Sequence, residues 1–308
     1  MKFISEKEMA GRIGELRKRK NAVILAHNYQ LGEVQDIADF TGDSLELSIR
    51  AATTEADVIV FCGVTFMAET AFILSPSKTV LLPVREAGCP MADMAGAAEL
   101  RKLKTEHPGA LVVTYVNSSA EVKAESDICV TSANAVKIVE SLPKDKEIIF
   151  VPDKNLGAYV QHRTGRKMIL WPGFCPTHMR ITPEHIRLRK AEYPDAKVIV
   201  HPECRMDVIE LGDAALSTGG MLKFAKETEA GRIIVATEMG IIHRLQKENP
   251  GKQFIPVSEQ AICPNMKMTR LEDVLNSLER MEHRISFPAD LAGRARLPIQ
   301  KMLEAGTR

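Results

Sequence analysis

The sequence is poor in aromatic residues, which make up 5% of its 308 positions, and it has one tryptophan. It has no excess of either charge, since the formal net charge is +1. Nucleic-acid binding needs a basic surface or aromatic platforms, so no nucleic-acid partner is expected. The longest apolar stretch, 56–64, is interrupted by Asp57 and is too short to cross a bilayer, which excludes a membrane partner.

The first residues lack the hydrophobic core of a signal peptide, so we expect a cytoplasmic protein. In that compartment the six cysteines are expected to be reduced and to serve as thiols, metal ligands or catalytic groups. No two of them form a Cys-x-x-Cys pair. A metal site therefore has to collect its ligands from distant parts of the chain.

An internal repeat organises the chain. Three β-branched runs end in polar residues, and aligning them on His27, Tyr115 and His201 gives spacings of 88 and 86 residues. A hydroxyl residue follows each anchor 17 positions later, and a Cys-Pro pair begins 62, 60 and 62 positions later. The hydroxyl residues are Ser44, Ser132 and Thr218, and the cysteines are Cys89, Cys175 and Cys263.

Two more strands are predicted in each copy, at 58–61, 148–151 and 233–236, and at 80–83, 168–171 and 254–257. Strands that alternate with helical stretches are typical of βαβ units with a parallel sheet. We therefore predict an α/β fold of three similar domains around a pseudo-threefold axis, with the active site at the centre. The predicted domains are 1–106, 107–193 and 194–308, and the helical segment after Thr269 is expected to pack on the first.

Ligands of open parallel α/β sheets bind outside the carboxyl ends of the strands. The polar residues predicted there are His27, Tyr29, Tyr115, Asn117, His201 and Glu203. Three sheets that share an axis would direct these residues, the hydroxyls and the cysteines to one cavity. The hydroxyls have a simpler explanation as helix caps, although a helix N-terminus also offers N–H groups to a carboxylate or phosphate.

The three cysteines in register indicate a metal site. Thiolates select zinc, copper(I) or an iron–sulfur cluster. Zinc would take His178 as a fourth ligand, whereas a [4Fe–4S] cluster with three cysteines leaves one iron open to substrate. The residue types leave both open, and the polar residues predicted nearby favour the cluster. The other cysteines, which lack counterparts in the repeat, are interpreted as buried apolar residues: Cys62, Cys129 and Cys204.

Several motifs resemble those of the quinolinate synthase family, and the resemblance covers nearly the whole chain. The motifs are 24–30, 36–39, 42–45, 89–92, 115–118, 131–135, 175–178, 201–204, 217–219 and 263–267. The resemblance implies one oxygen-sensitive [4Fe–4S] cluster with Cys89, Cys175 and Cys263 as ligands and one open iron site. It implies a transferase that condenses iminoaspartate (iminosuccinate) with dihydroxyacetone phosphate to quinolinate, releasing phosphate and water, in NAD biosynthesis. An L-aspartate oxidase is the implied supplier of the imine.

The residues fit that reaction in specific roles. Glu203 is expected to be the general base, with Tyr29 and Tyr115 as acid–base partners and His201 beside them. Substrate binding is assigned to His27, Ser44, Tyr115, Asn117, Ser132, His201, Glu203 and Thr218. Two other functions stay open: a different iron–sulfur lyase or hydratase for a small hydroxy acid, and a zinc-stabilised binding protein without catalysis.

Overall fold

The computed structural model describes residues 5–306, which form an α/β structure with three four-stranded sheets. All strand pairs within the sheets are parallel, which confirms the predicted fold class. The first sheet contains β1 (Ala22–His27), β2 (Phe40–Gly42), β3 (Val58–Cys62) and β4 (Thr79–Leu81). The second contains β5 (Leu111–Tyr115), β6 (Ile128–Val130), β7 (Ile148–Val151) and β8 (Ile169–Leu170). The third contains β9 (Lys197–Val200), β10 (Ala214–Ala215), β11 (Arg232–Ala236) and β12 (Gln253–Pro256).

The three sheets have one topology. In each, the second strand lies at the edge beside the first, and the third and fourth follow on the other side: β2-β1-β3-β4, β6-β5-β7-β8 and β10-β9-β11-β12. The repeat inferred from the spacing of polar residues is thus a repeat of the fold. The edge strands β2, β6 and β10 are not among the strands predicted from the sequence, because none of them lies in an apolar run of four residues.

Sixteen α-helices and one short 3-10 helix connect and cover the strands of residues 5–306. From the start of the chain to β5 they are α1 (Glu6–Arg19), α2 (Gly32–Ile37), α3 (Ser44–Thr53), α4 (Thr65–Leu74), α5 (Pro90–Asp93) and α6 (Ala97–Glu106). Up to β9 they are α7 (Ala120–Ala124), α8 (Ala135–Ser141), α9 (Lys154–Thr164), α10 (Pro176–Met179) and α11 (Pro183–Glu192). The remainder are α12 (Met206–Ile209), α13 (Thr218–Glu227), α14 (Ile241–Glu248), the 3-10 helix Asn265–Lys267, α15 (Leu271–Arg280) and α16 (Ala289–Gly306).

The described chain divides into two compact units. The first unit holds residues 5–89 and 263–289, and therefore the first sheet. Its core is an apolar cluster that joins α1 and α15 to β1 and β3; α15 contributes Leu271, Val274, Leu275 and Leu278. The helical periodicity predicted after Thr269 thus produces one face of this core.

The second unit holds residues 90–262 and 290–306, and therefore the second and third sheets. The second sheet packs against α6 and α7 through Leu100, Val112, Val122 and Ile149. The end of α16 belongs to this unit, where Lys301 Nζ donates to the Asp127 carbonyl at 2.9 Å. The three predicted domain boundaries and the pseudo-threefold axis stay predictions. No helix within residues 5–306 is long and apolar enough to cross a membrane.

Truncating the buried face of α15 should destabilise the first unit. We expect Leu278→Ala to lower the free energy of unfolding by about 3 kcal/mol, because Leu278 is fully buried and its removal leaves a cavity. Leu297→Ala is the matched control, because Leu297 is 62% exposed in α16. This substitution should change the free energy of unfolding by less than about 0.5 kcal/mol. Urea unfolding measures both, and equal shifts would contradict the packing of α15.

Candidate active site

The histidines that end the first strands of the first and third sheets have the same backbone turn. His27 Nδ1 accepts the Tyr29 backbone N–H at 3.1 Å, and His201 Nδ1 accepts the Glu203 backbone N–H at 3.3 Å. Because Nδ1 is an acceptor in both rings, a neutral imidazole carries its proton on Nε2. Each histidine therefore presents an Nε2–H donor, as binding of a carboxylate or carbonyl requires.

Glu203 is the centre of a buried hydrogen-bond network in the second unit. The residue is 4% exposed. The Tyr115 hydroxyl donates to its Oε1 at 2.5 Å, and Asn117 Nδ2 lies 3.5 Å from the same oxygen. His178 Nδ1 lies 2.7 Å from Oε2, and Asn155 Nδ2 donates to the Glu203 main-chain oxygen at 3.2 Å. The polar ends of β5 and β9 are thus in direct contact.

The electrostatics of this network keep Glu203 ionised. Burial raises the pKa of the Glu203 carboxyl, but the charge of His178 and the hydrogen bonds from His178 and Tyr115 outweigh burial, so the pKa lies below its ordinary value. For the buried Asp153, burial and the charge of Glu203 raise the pKa well above its ordinary value. The negative charge of this pair of carboxyls therefore resides on Glu203.

His178 connects Glu203 to Cys175. Its Nδ1 lies 3.1 Å from Cys175 Sγ, and its Nε2 lies 2.8 Å from Thr237 Oγ1. The ring stacks on His201, with centroids 4.8 Å apart and an interplanar angle of 26°. One ligand atom from each of Cys175, His178 and Glu203 lies within 4.8 Å of the others, an arrangement that can hold a metal ion.

Three cysteines are buried structural residues, as predicted. Cys62, Cys129 and Cys204 are each 0% exposed. Burial raises the pKa of all three thiols, and that of Cys129 rises to about 12. At neutral pH these thiols stay protonated, so they are poor nucleophiles and poor metal ligands.

The three cysteines of the Cys-Pro pairs have another environment. Each is half-buried, and each stands just before a short helical turn: Cys89 before α5, Cys175 before α10 and Cys263 before Pro264 and the 3-10 helix. Proline suits the first position of a helix, because its missing N–H would have no intrahelical partner. Pro90 and Pro176 take this position in α5 and α10, whereas Pro264 is the N-cap of a 3-10 helix, so the third copy has a related but different turn.

Thiol alkylation should separate these two groups. In cluster-free folded protein at pH 8, we expect iodoacetamide to modify Cys89, Cys175 and Cys263. Cys129 should react roughly a thousandfold more slowly, because a pKa of about 12 leaves little thiolate and burial blocks access. Peptide mass spectrometry measures each rate, and labelling of Cys129 as fast as that of Cys175 would contradict the assignment.

In the first unit the two cysteine segments are tied together through their neighbours. Asn265 Nδ2 donates to the Gly88 carbonyl at 2.7 Å, directly before Cys89. Lys267 Nζ donates to the carbonyl of Tyr29. The segment that follows Cys263 thus positions both the residue before Cys89 and the predicted catalytic tyrosine.

The predicted hydroxyl residues are not the helix caps. Asp43 caps α3 by accepting two backbone N–H bonds, and Ser217 caps α13 by accepting the Gly220 N–H at 3.1 Å. Ser44 and Thr218 each occupy the first helical position after the cap. Ser132 lies in a turn before α8, whose N-cap is Asn134. The capping explanation is therefore wrong, because the residue before each of Ser44 and Thr218 already fills that role.

Four residues of the network were not assigned there from the sequence. The sequence predicts His178 only as a zinc ligand, and it predicts no role for Asp153, Asn155 or Thr237. Position 178 is polar where the other two Cys-Pro segments have Ala92 and Met266, and this departure from the repeat was a usable signal. The remaining three follow the carboxyl ends of β7 and β11, where the strand-end rule also predicts ligands.

The second unit combines two parallel sheets with a thiol, an imidazole and a carboxylate that can hold a metal ion, so the chain is of the class of α/β proteins with a candidate metal site near the strand ends. Within that class the chain belongs to the quinolinate synthetase A family, since the family profile "Quinolinate synthetase A protein" matches residues 11–304. A quinolinate synthase from Dehalococcoides mccartyi (strain CBDB1) is 60% identical over 292 residues, which cover 95% of this chain and 96% of the relative. A quinolinate synthase from Desulforudis audaxviator (strain MP104C) is 54% identical over 296 residues, 96% of this chain and 98% of the relative.

Proposed function

We propose that this chain acts as a quinolinate synthase in NAD biosynthesis. The reaction condenses iminosuccinate with dihydroxyacetone phosphate to quinolinate and releases one phosphate and two molecules of water, so that all atoms balance. The observation that supports it most strongly is the continuous set of contacts from Tyr115 through Glu203 and His178 to Cys175, in a chain that matches the family over residues 11–304. The reaction makes the enzyme a transferase.

The cofactor that fits the donor set is an iron–sulfur cluster. Soft thiolates select such clusters, and Cys89, Cys175 and Cys263 are the three half-buried thiols. We propose that they hold one [4Fe–4S] cluster with an open iron. When bound, such a cluster supplies a Lewis acid that makes a departing oxygen a better leaving group.

Tyr115 and Glu203 are arranged to move a proton. When the Tyr115 oxygen takes a proton from the substrate, its own proton passes to Glu203 Oε1 over a contact of 2.5 Å. His178 holds the other carboxylate oxygen in place. We assign Tyr29 the same acid–base role in the first unit.

The anionic groups of the substrates need donors. The Nε2–H groups of His27 and His201 are suited to carboxylates or a carbonyl. Ser44 and Thr218 stand at the first positions of α3 and α13, and each offers a hydroxyl donor. With Tyr115, Asn117, Ser132 and Glu203, these residues form the substrate-binding set that we propose.

A phosphate-release assay distinguishes this function from the second candidate, an iron–sulfur lyase or hydratase for a small hydroxy acid. Anaerobic protein that receives iminosuccinate and dihydroxyacetone phosphate should release one phosphate for each quinolinate formed. Hydration or dehydration of malate without phosphate release would instead support the hydroxy-acid enzyme. That enzyme would share the thiolate ligands and the carboxylate donors, so only the products separate the two.

Metal analysis tests the third candidate, a zinc-stabilised binding protein. The Cys175–His178–Glu203 group is compatible with zinc, which favours thiolate and imidazole ligands. Anaerobically purified protein should contain iron and acid-labile sulfide, and zinc without sulfide would support the binding protein.

We further propose a cytoplasmic enzyme whose unstable imine substrate is supplied by an L-aspartate oxidase.

A further inference from the structure

Lys123 is a lysine in the interior of the second unit. It lies in α7 and is 0% exposed. Its Nζ donates to the Ser118 carbonyl at 2.7 Å, and the Ser118 hydroxyl donates to the Tyr115 carbonyl at 2.9 Å. Lys123 thus supports the loop after β5, which carries Tyr115 and Asn117. Burial of an ammonium group is costly, because it loses its hydration.

The repeat shows what this position requires. Lys123 follows Tyr115 by eight residues, and Gln35 follows His27 by eight residues in the first sheet. Gln35 is also buried, and its Nε2 donates to the Gln30 carbonyl at 2.8 Å. Gln30 stands three residues after His27, and Ser118 stands three residues after Tyr115. The side chains at the eighth position therefore donate hydrogen bonds to equivalent carbonyls in the two copies. A neutral amide is sufficient for this contact.

In the third copy the equivalent side chain cannot donate this hydrogen bond. Eight residues after His201 stands Ile209, a buried hydrocarbon side chain. The fold of the repeat therefore tolerates an amide or an alkyl group at this position, and the positive charge is peculiar to the second copy.

The charge of Lys123 acts on its surroundings. It opposes the effect of burial on the pKa of Cys129, the residue at the centre of β6 beside β5. A charge shielded from water is screened less by solvent and salt than one at the surface. The nearest strand-end loop, 115–118, is where we place the substrate-binding residues Tyr115 and Asn117. Both substrates of the proposed reaction are anions.

We propose that Lys123 is a positioning residue whose buried positive charge strengthens binding of a dicarboxylate at the carboxyl end of the second sheet. This inference rests on the proposed function. Lys123 acts through the Ser118 carbonyl and the loop rather than by touching substrate. Its charge therefore affects substrate affinity, while the proton transfer between Tyr115 and Glu203 continues.

The test compares Lys123→Gln with the wild-type holoenzyme. The glutamine reproduces the arrangement of Gln35, so the loop contact is kept and the charge is lost. We expect the KM for iminosuccinate and the Kd for quinolinate, measured by calorimetry, to rise about tenfold, with kcat changed less than about threefold. Lys144→Gln is the control, because Lys144 is exposed and the change in net charge is identical; we expect both constants to stay at wild-type values.

Three results would overturn the inference. The first is a Lys123→Gln enzyme with wild-type KM and Kd, and the second is an equal shift in Lys144→Gln. The third is failure of Lys123→Gln to fold, since it would show that the charge serves the fold, contrary to the pattern of Gln35 and Ile209. If the wild-type protein forms quinolinate in any of these cases, only the inference about Lys123 fails. A wild-type protein that neither forms nor binds quinolinate would remove the proposed function as well.

Discussion

Glu203→Gln should lower kcat by about 10²–10⁴-fold while the iron content stays at the wild-type level. Glutamine has nearly the shape of glutamate, so the contact with Asn155 through the main chain is preserved. Its amide cannot take the proton that Tyr115 donates to Oε1. The same substitution removes the negative charge that faces His178 and His201.

Steady-state quinolinate formation and iron analysis measure the effect of Glu203→Gln. Glu227→Gln serves as the control, because Glu227 is exposed in α13 and should leave turnover unchanged. Turnover of Glu203→Gln near the wild-type value would remove Glu203 from proton transfer. Loss of iron would instead assign Glu203 to the metal site, a role that its position beside Cys175 and His178 also permits.

Cys175→Ser should abolish activity by preventing assembly of the cluster. Serine replaces the soft thiolate by a hydroxyl, which is a much weaker ligand for an iron–sulfur cluster than a thiolate. We expect iron and acid-labile sulfide in anaerobically purified protein to fall from about four of each per chain to below about one. Quinolinate formation should fall below detection, because the open iron is lost with the cluster.

The matched control is Cys129→Ala, which also removes one thiol from the second unit. Cys129 is fully buried at the centre of β6, so its loss should reduce stability slightly and leave the iron content intact. Equal iron in Cys175→Ser and the wild-type protein would exclude Cys175 as a ligand. Loss of iron in Cys129→Ala would show that cluster content follows general stability rather than the Cys-Pro segments.

The fold could be predicted from the sequence because the chain repeats itself. Runs such as 24–26 and 148–151 are buried on both faces of parallel sheets, so they stay continuously apolar and easy to recognise. The edge strands β2, β6 and β10 lack this signal, whereas the opposite edge strands β4, β8 and β12 are predicted. β10 has only Ala214 and Ala215, both half-buried, and only its pairing with β9 identifies it as a strand.

The site was partly predictable for the same reason. Tyr115, Asn117 and Glu203 follow strand ends in register, and the structure brings these three into contact. His178 aligns with Ala92 and Met266 in the other two copies, so the repeat marks it as different but does not show what it contacts. Its role depends on the geometry of α10 against β11, where Thr237 contacts Nε2, and sequence spacing does not encode that packing. The grouping of first-unit residues such as His27 and Tyr29 with these stays a prediction.

Anaerobic quinolinate formation before and after exposure to air tests the central claim most directly. Protein purified without oxygen should form quinolinate from dihydroxyacetone phosphate and freshly generated iminosuccinate. Exposure to air should abolish both quinolinate formation and the absorption of the cluster. Reconstitution with iron and sulfide should restore both. Protein with a full complement of iron and sulfide that forms no quinolinate would contradict the account, and so would quinolinate formation that air leaves unchanged.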